Sequence, residues 1–270
     1  MYLGLAFIGI IGVFYYNTFS WLVGSWINNE YYSHGFLVPI ISGYLIWSMR
    51  KELYATEKKQ SQAGLVLFVG GILLQGVGAV FTIRFLSGIS LLLTISGVIL
   101  YLFGWAFMKK ISFPIILLGL MVPLPFVDII APPIQTVSAV AASNMANLFG
   151  IPVQRDGLVL AAPAGSFEVG LPCSGLRSII SLLTIGAIYA FILEGSMLMK
   201  GIIVLSSVPL ALTGNIFRIT SVLAFANKYG QEAAMNYFHD FSSLLLFIVA
   251  LSGLFLVGRC FGRLRFKTIF

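Results

Sequence analysis

The chain has 270 residues, of which 59% are hydrophobic and only 9% are charged, and its mean hydropathy is +1.00. This composition excludes a soluble globular domain, because so few polar residues cannot cover the surface of one. The net charge of +7 is typical of membrane topology signals and of attraction to membrane lipids with anionic headgroups, and it does not indicate nucleic acid as a partner. We predict an all-α polytopic membrane protein with a single domain over residues 1–270.

Apolar runs of about 20 residues predict membrane-spanning helices joined by short loops. The eight predicted spans cover residues 3–22, 34–49, 64–82, 86–107, 111–127, 176–193, 201–219 and 241–258. The first has no basic region before it and exceeds a signal-peptide core, so we expect it to be retained. Pro114, Pro123 and Pro125 predict a kink in the fifth. Eight spans place both termini on one side.

The distribution of basic residues predicts the orientation in the membrane. If the N-terminus is cytoplasmic, eleven of the 16 lysines and arginines fall in cytoplasmic segments and five fall outside. This bias is typical of loops that stay in the cytoplasm. We therefore expect both termini in the cytoplasm and the longest non-membrane stretch, residues 128–172, on the external side of the membrane.

Two elements are predicted within residues 128–172. After Pro132 and Pro133, apolar and polar residues take opposite sides of a helical pattern, which indicates an amphipathic helix lying on the outer membrane surface. The apolar positions are Ile134, Val137, Ala141, Met145 and Leu148, and the polar ones are Gln135, Ser138, Asn144 and Asn147. Two extended runs around Pro163-Ala164-Gly165 then indicate a small external hairpin leading towards Cys173.

Cys173 stands where a polar, Gly- and Pro-rich stretch turns into the sixth span, within FEVGLPCSGLRSII. Unpaired N–H groups and the helix dipole at a helix N-terminus favour an anion, so this position favours a thiolate. Arg177, four residues later, is expected on the same helical face. Alone, such a cysteine is more often a small apolar filler. Cys260 lies beyond the eighth span, across a core about 30 Å thick, so we predict that the two cysteines are not disulfide-bonded.

Four further side chains are predicted near the same face of the membrane. Arg218 is expected near the external end of the seventh span, where it has either a partner or a snorkelling side chain, and Asn215 shares its helical face. His239 precedes the eighth span, and His34 begins the second. Each is individually compatible with a structural role, but together with Cys173 they form a candidate catalytic set of thiol, guanidinium and imidazole.

These residues stand in sequence blocks that resemble the exosortases over essentially the whole chain. The blocks are YYSHGFLVPIISGYLIW, ISFPIILLGLMVPLPF, CSGLRSIISLL, GNIFRI and QEAAMNYFHDFSS, in that order. The resemblance implies that Cys173 is the nucleophile, Arg218 the guanidinium partner and His239 the imidazole. Leu171-Pro172 stands where the family has Glu-Ala before the cysteine, and Glu168 is retained in the preceding extended run.

The resemblance implies a membrane cysteine protease or transpeptidase that processes exported proteins. It also implies a location in the bacterial cytoplasmic (inner) membrane, with the active site on the external or periplasmic side. Its substrates would carry a C-terminal sorting signal of the Pro-Glu-Pro type, which is a short motif followed by one membrane span and a basic tail. A thioester on Cys173 would pass to water, which gives hydrolysis, or to an amine or hydroxyl of a cell-surface acceptor, which gives transpeptidation. The sequence leaves both outcomes open.

Two other classes of protein stay open at this point. A transporter or channel would explain eight spans, but it favours ionisable residues at the bilayer midplane, and the predicted midplanes are nearly free of charge. A non-catalytic scaffold of an envelope polysaccharide or secretion system needs no catalytic set. The sequence has no metal-site spacing and no nucleotide motif, so we predict no metal and no other cofactor.

Overall fold

The computed structural model describes residues 2–170 and 174–261, and for a few positions within helices it describes the backbone alone. The described chain forms two compact units that divide between Pro125 and Phe126. The prediction of a single domain is not tested by this division and stays a prediction.

The first unit is helical. Its helices are α1 (Tyr2–Phe14), α2 (Tyr16–Asn28), α3 (Leu37–Ser48), α4 (Arg50–Tyr54), α5 (Gln62–Val80) and α6 (Arg84–Leu118), with 3-10 turns at Glu30–Tyr32 and Gly119–Met121.

The second unit combines helices with a small sheet. Its elements are α7 (Val127–Leu148), β1 (Gln154–Asp156), β2 (Val159–Ala162), β3 (Gly165–Glu168), α8 (Leu176–Ile192), α9 (Met197–Tyr229), α10 (Gln231–Ala233), a π-helical turn (Ala234–Phe238) and α11 (His239–Phe261).

Three helical segments in the described chain are long and apolar enough to cross a membrane, namely Gln62–Val80, Arg84–Met121 and Met197–Tyr229. Shorter apolar helices occupy Leu176–Ile192 and Phe247–Cys260. The all-α membrane class therefore agrees with the structure, but the eight predicted spans are not confirmed. The predicted second span illustrates why, because the 12 residues of α3 reach only about 18 Å.

The predicted fourth and fifth spans are one helix in the structure, interrupted at Gly104. The sequence predicts a loop near residues 108–110, but α6 continues through Pro114 and ends at Leu118. Gly104 has φ +80° and ψ −178°, a conformation essentially limited to glycine. A Cβ atom there would also collide with the carbonyl oxygen of Lys59. The break thus lies where the backbone of another segment approaches the helix.

Glycines on α5 allow it to pack closely against α6. Gly64, Gly71 and Gly78 recur every seven residues, and a Cβ atom on each would collide with α6 at Tyr101, Thr94 and Ser87 respectively. Small residues at such a seam bring two backbones together and increase their dispersion contacts. The α5–α6 pair is the most extensive helix contact of the first unit.

A buried polar network joins α5 and α6 to the chain around α2. The hydroxyl groups of Tyr15 and Thr94 are 2.6 Å apart, Gln75 Nε2 donates to Thr18 Oγ1 at 3.2 Å, and Ser90 Oγ donates to Gln75 Oε1 at 3.1 Å. Hydrogen bonds of this kind satisfy polar groups that would be costly inside an apolar bundle. The network therefore fixes the register of these segments.

In the second unit, α7 buries a face different from the one that the sequence predicts. Gln135 and Ser138, predicted to face water, are buried, whereas Val137 and Leu148 from the predicted apolar stripe are exposed. The buried face consists mainly of small residues, Ala131, Ser138, Ala139, Ala142, Ser143 and Ala146, and α7 packs against α9. Small residues let helices approach closely, and this packing outweighs the apolar pattern. The predicted facing of Gln135 and Ser138 was wrong.

The start of α7 also differs from its prediction. The helix begins at Val127 rather than after the Pro-Pro pair, so Pro132 and Pro133 lie inside it. Asn144 and Asn147 are exposed as predicted. The side chain of Asn147 donates to the carbonyl oxygen of Val153 at 3.0 Å and accepts from its backbone N–H at 2.9 Å. Asn147 thus ties the end of α7 to the chain entering β1.

The predicted hairpin is present, with one additional strand. β2 and β3 pair antiparallel with Ala162 opposite Gly165, so that Pro163 and Ala164 form a two-residue turn, and β1 pairs along the other edge of β2. The cross-strand partners Leu160 and Phe167 are both buried in a core shared with α7 and α9. This core fixes the sheet against the C-terminal half of α9.

We predict that the α5–α6 seam is sensitive to side-chain size at Gly71 but not at its neighbour Gly70. Gly71→Leu should lower the free energy of unfolding by about 1–3 kcal/mol, the usual effect of overpacking. Gly70→Leu is the matched control, because a Cβ atom there meets nothing within 4 Å. Thermal unfolding of both purified variants in one detergent measures the difference. Equal melting temperatures would contradict the close approach of α5 and α6.

Candidate active site

Helix α9 carries Asn215 and Arg218 on its buried face. The helix begins after Ser196, whose hydroxyl accepts a hydrogen bond from the backbone N–H of Met199 at 3.2 Å. Asn215 is 1% exposed and Arg218 is 8% exposed. A buried guanidinium is costly unless polar groups surround it, so its position marks a polar locus within an otherwise apolar bundle. Snorkelling to the surface, one of the two expectations for Arg218, does not describe this arrangement.

Ser138 connects Asn215 to the residue that follows Cys173. Asn215 Nδ2 donates to Ser138 Oγ at 3.2 Å, and Ser138 Oγ donates to the backbone carbonyl oxygen of Ser174 at 3.3 Å. Ser174 is fully buried. This link of two hydrogen bonds joins α7, α9 and the segment that precedes α8. Cys173 itself lies outside the described residues. The link holds the carbonyl group of its neighbour Ser174 to Ser138 and Asn215, and Asn215 stands three residues before Arg218 on α9.

The entry to α8 depends on Gly175. This residue has φ +84°, in the left-handed region, and it directly precedes Leu176, the first residue of the helix. A Cβ atom at Gly175 would lie 3.0 Å from Asn215 Nδ2. The Leu176 N–H donates to Ser174 Oγ at 3.2 Å, so one of the unpaired N–H groups of the helix start is satisfied locally. The chain therefore turns into α8 in contact with Asn215.

A cavity of about 190 Å³ lies between the sheet and α9. Arg218 and Glu168 both line it, Glu168 from the exposed end of β3. Most of the wall is apolar, and its apolar residues are Leu160, Phe167, Val169, Ile219, Val222, Leu223 and Met235. A mostly apolar concave site with a few polar groups is the usual form of a ligand pocket. The guanidinium of Arg218 thus belongs to a wall that a ligand can reach.

The segment before His239 borders the same cavity. Gln231 lines it, and Gln231 Nε2 donates to the backbone carbonyl oxygen of Ser166 on β3 at 3.1 Å. Farther along, the ring of Phe238 stacks on Phe225 of α9 with centroids 4.5 Å apart and planes 6° apart. His239 is the first residue of α11, and its side chain lies outside the described part of the chain. The backbone that carries it is anchored to both β3 and α9.

The remaining predicted residues occupy two different units. Arg177 is exposed on the first turn of α8 in the second unit. His34 belongs to the first unit, where its ring stacks on Tyr32 with centroids 6.2 Å apart. Burial raises the pKa of the Tyr32 hydroxyl above its usual value, against a smaller opposite effect of the Leu124 N–H that it accepts at 2.9 Å. The structure thus brings Asn215, Arg218 and Glu168 to one region and describes His34 separately.

Two residues of this region were not selected from the sequence. Ser138 was assigned to the water-facing side of α7, and its contacts with residues 36 and 77 positions away leave no local signal. Gln231 is the first residue of the block QEAAMNYFHDFSS, in which His239 is the predicted site residue. The sequence signal for Gln231 is its position directly after Gly230, the glycine that ends α9. Gly230 has φ +90°, so the chain changes direction there.

A comparison with known protein families identifies the family of this chain. The family model for transmembrane exosortases (Exosortase_EpsH) matches residues 26–256, which is most of the chain. The chain therefore belongs to the transmembrane exosortase family. No curated protein and no solved structure matches it.

We predict that Gln231 is a positioning residue for the segment leading to His239. Gln231→Ala removes the hydrogen bond to Ser166, which is worth about 1 kcal/mol, so processing of a sorting-signal substrate should fall about five- to tenfold. Glu232→Ala is the matched control, because Glu232 is exposed and does not line the cavity. Substrate cleavage in cells with equal membrane levels of both variants measures the effect. Unchanged processing by Gln231→Ala would refute the role.

Proposed function

We propose that this exosortase is a membrane-embedded cysteine protease or transpeptidase with Cys173 as nucleophile, Arg218 as oxyanion donor and His239 as general acid. Membership of the transmembrane exosortase family supports a membrane transpeptidase that acts in protein sorting. The residue roles come from the family resemblance and from the chemistry that these three side chains offer together. Arg177, Asn215, Glu168 and His34 are proposed as supporting residues.

One observation carries the proposal, namely the link of two hydrogen bonds from Asn215 through Ser138 to Ser174. It attaches the carbonyl group of Ser174, the residue after Cys173, to Asn215 on α9, three residues before Arg218, which lines the cavity. A nucleophile and an oxyanion donor must stay within a few tenths of an ångström of their reactive geometry, which rigid elements achieve better than loops. Fixing Ser174 supports this requirement for its neighbour.

The proposed reaction has two steps that balance in atoms and protons. The Cys173 thiolate attacks the carbonyl carbon of the scissile peptide, and Arg218 donates hydrogen bonds to the developing oxyanion. The C–N bond breaks as His239 protonates the leaving amine, which leaves a thioester on the sulfur. Water then releases a carboxylic acid, or an acceptor amine or hydroxyl releases an amide or ester. His239 takes the acceptor's proton, which restores the protonated imidazole and the Cys173 thiolate.

The proposed substrates are exported proteins whose C-terminal signal consists of a short Pro-Glu-Pro type motif, a membrane span and a basic tail. Anchoring of both partners in one bilayer makes their encounter nearly intramolecular and lowers its entropic cost. The external face of the cytoplasmic membrane is the proposed location of the reaction, in line with the bias of basic residues towards the cytoplasmic segments. A cell-surface molecule with an amine or hydroxyl is the proposed acceptor.

We predict that alanine substitutions separate the catalytic residues from a supporting one. Cys173→Ala should abolish processing, and Arg218→Ala and His239→Ala should each lower it at least 100-fold, in the range found for oxyanion donors and general acids. His34→Ala should reduce activity less, because its proposed role is packing or substrate entry. The measurement is cleavage of a sorting-signal substrate in cells, with membrane levels of each variant matched by immunoblot.

The same series tests the other classes of protein. A transporter or a scaffold would retain its function in Cys173→Ala, so full processing by that variant would contradict the enzyme assignment. If His34→Ala were inactive and His239→Ala active, the role of the imidazole would belong to His34. Arg218→Lys keeps the charge at the buried position and so distinguishes loss of the planar guanidinium from loss of a cation.

A further inference from the structure

A basic and aromatic cavity of about 390 Å³ is lined by residues of the first unit. Arg50 and Lys58 are its two charged lining residues, and its apolar lining includes Ile46, Leu53 and Phe107. No carboxylate lines this cavity in the described chain. Glu52, which is nearby in sequence, instead forms an ion pair with Lys110 at 2.8 Å. The lining thus has a net charge of +2 on an apolar floor.

Aromatic rings hold both cations at the cavity. The Arg50 guanidinium carbon lies 4.1 Å from the centroid of the Trp47 ring, and Arg50 Nη1 donates to the Trp47 carbonyl oxygen at 3.1 Å. Lys58 Nζ lies 5.9 Å from the Tyr54 centroid and 5.7 Å from the Phe103 centroid. Cation–π contacts orient a cation without neutralising it, so its charge stays available to an anion. Arginine has five N–H donors, more than the contact with Trp47 uses.

The position of the cavity is the membrane end of the α5–α6 pair. Lys58 stands four residues before α5, a helix long and apolar enough to cross a membrane. On α6, Phe103 directly precedes the break at Gly104, where the carbonyl of Lys59 approaches. Tryptophan, tyrosine and basic residues concentrate at such membrane–water interfaces. A cavity lined by such residues beside the start of a membrane-length helix is expected at the level of lipid headgroups.

We propose that this cavity binds the headgroup of an anionic phospholipid. Arg50 and Lys58 would contact the phosphate oxygens, and an acyl chain would lie along Ile46 and Phe107. Basic pockets between membrane helices bind anionic headgroups in this manner. The chemistry does not suit the basic tail of a sorting signal, because two cations line the cavity and would repel it. The occupant is thus a component of the bilayer, independent of the proposed enzymatic reaction.

The test is a lipid titration of the full-length protein, delipidated in neutral detergent. Dioleoylphosphatidylglycerol should raise the melting temperature saturably and appear as a bound adduct in native mass spectrometry, and dioleoylphosphatidylcholine should not. The double variant Arg50→Gln/Lys58→Gln should bind the anionic lipid about tenfold more weakly or less. A swap variant, Arg50→Lys/Lys58→Arg, keeps both charges and should retain most of the binding, which separates lost affinity from misfolding.

A matched control removes the same charge at the same end of the helices. Lys51→Gln/Lys59→Gln changes two exposed lysines that do not line the cavity, and binding should be unchanged within twofold. An equal loss in this control would show attraction by diffuse surface charge and would overturn the site. Equal stabilisation by phosphatidylcholine would overturn the requirement for an anion. Equal stabilisation by inorganic phosphate would assign a phosphate-ion site and overturn the lipid.

Discussion

The hydrogen-bonded link from Asn215 through Ser138 to Ser174 is the constraint on which the candidate active site depends. It joins three elements that are far apart in sequence, and its members are buried. Inside an apolar bundle, an unmade hydrogen bond at any of these groups is more costly than at a surface, so the three elements have one favourable relative placement. The position of the segment after Cys173 relative to α9 follows from that placement.

A second consequence concerns the environment of Arg218. Its guanidinium lines a mostly apolar cavity, where the effective dielectric is lower than in water and hydrogen bonds to a charged group are stronger. A donor held in this way needs no reorganisation when charge develops on a bound carbonyl oxygen. The Gln231–Ser166 contact and the Phe225–Phe238 stack hold the other wall and the approach to His239. The small sheet is therefore a structural part of the site.

Local patterns predicted the local features, whereas contacts between distant segments decided the rest. The hairpin at Pro163-Ala164-Gly165 was predicted correctly because its turn chemistry lies within a few residues. The break at Gly104 was not, because the approach of Lys59 creates the need for a glycine there. Ser138 was misassigned for the same reason, since its partners lie on α9 and in the segment before α8. The family blocks indicated Arg218 and Asn215, which are buried on one face of α9, and their roles stay a prediction.

The proposed mechanism requires that Cys173 becomes acylated, and peptide mass spectrometry of trapped enzyme measures this acylation. A sorting-signal substrate is mixed with purified enzyme, the reaction is quenched in acid, and the peptide containing Cys173 is analysed with and without hydroxylamine. We expect a mass increase equal to the N-terminal cleavage fragment less water, on the Cys173 peptide alone and removed by hydroxylamine. Turnover without any adduct on Cys173, or with a hydroxylamine-sensitive adduct on another residue, would show that Cys173 is not the nucleophile.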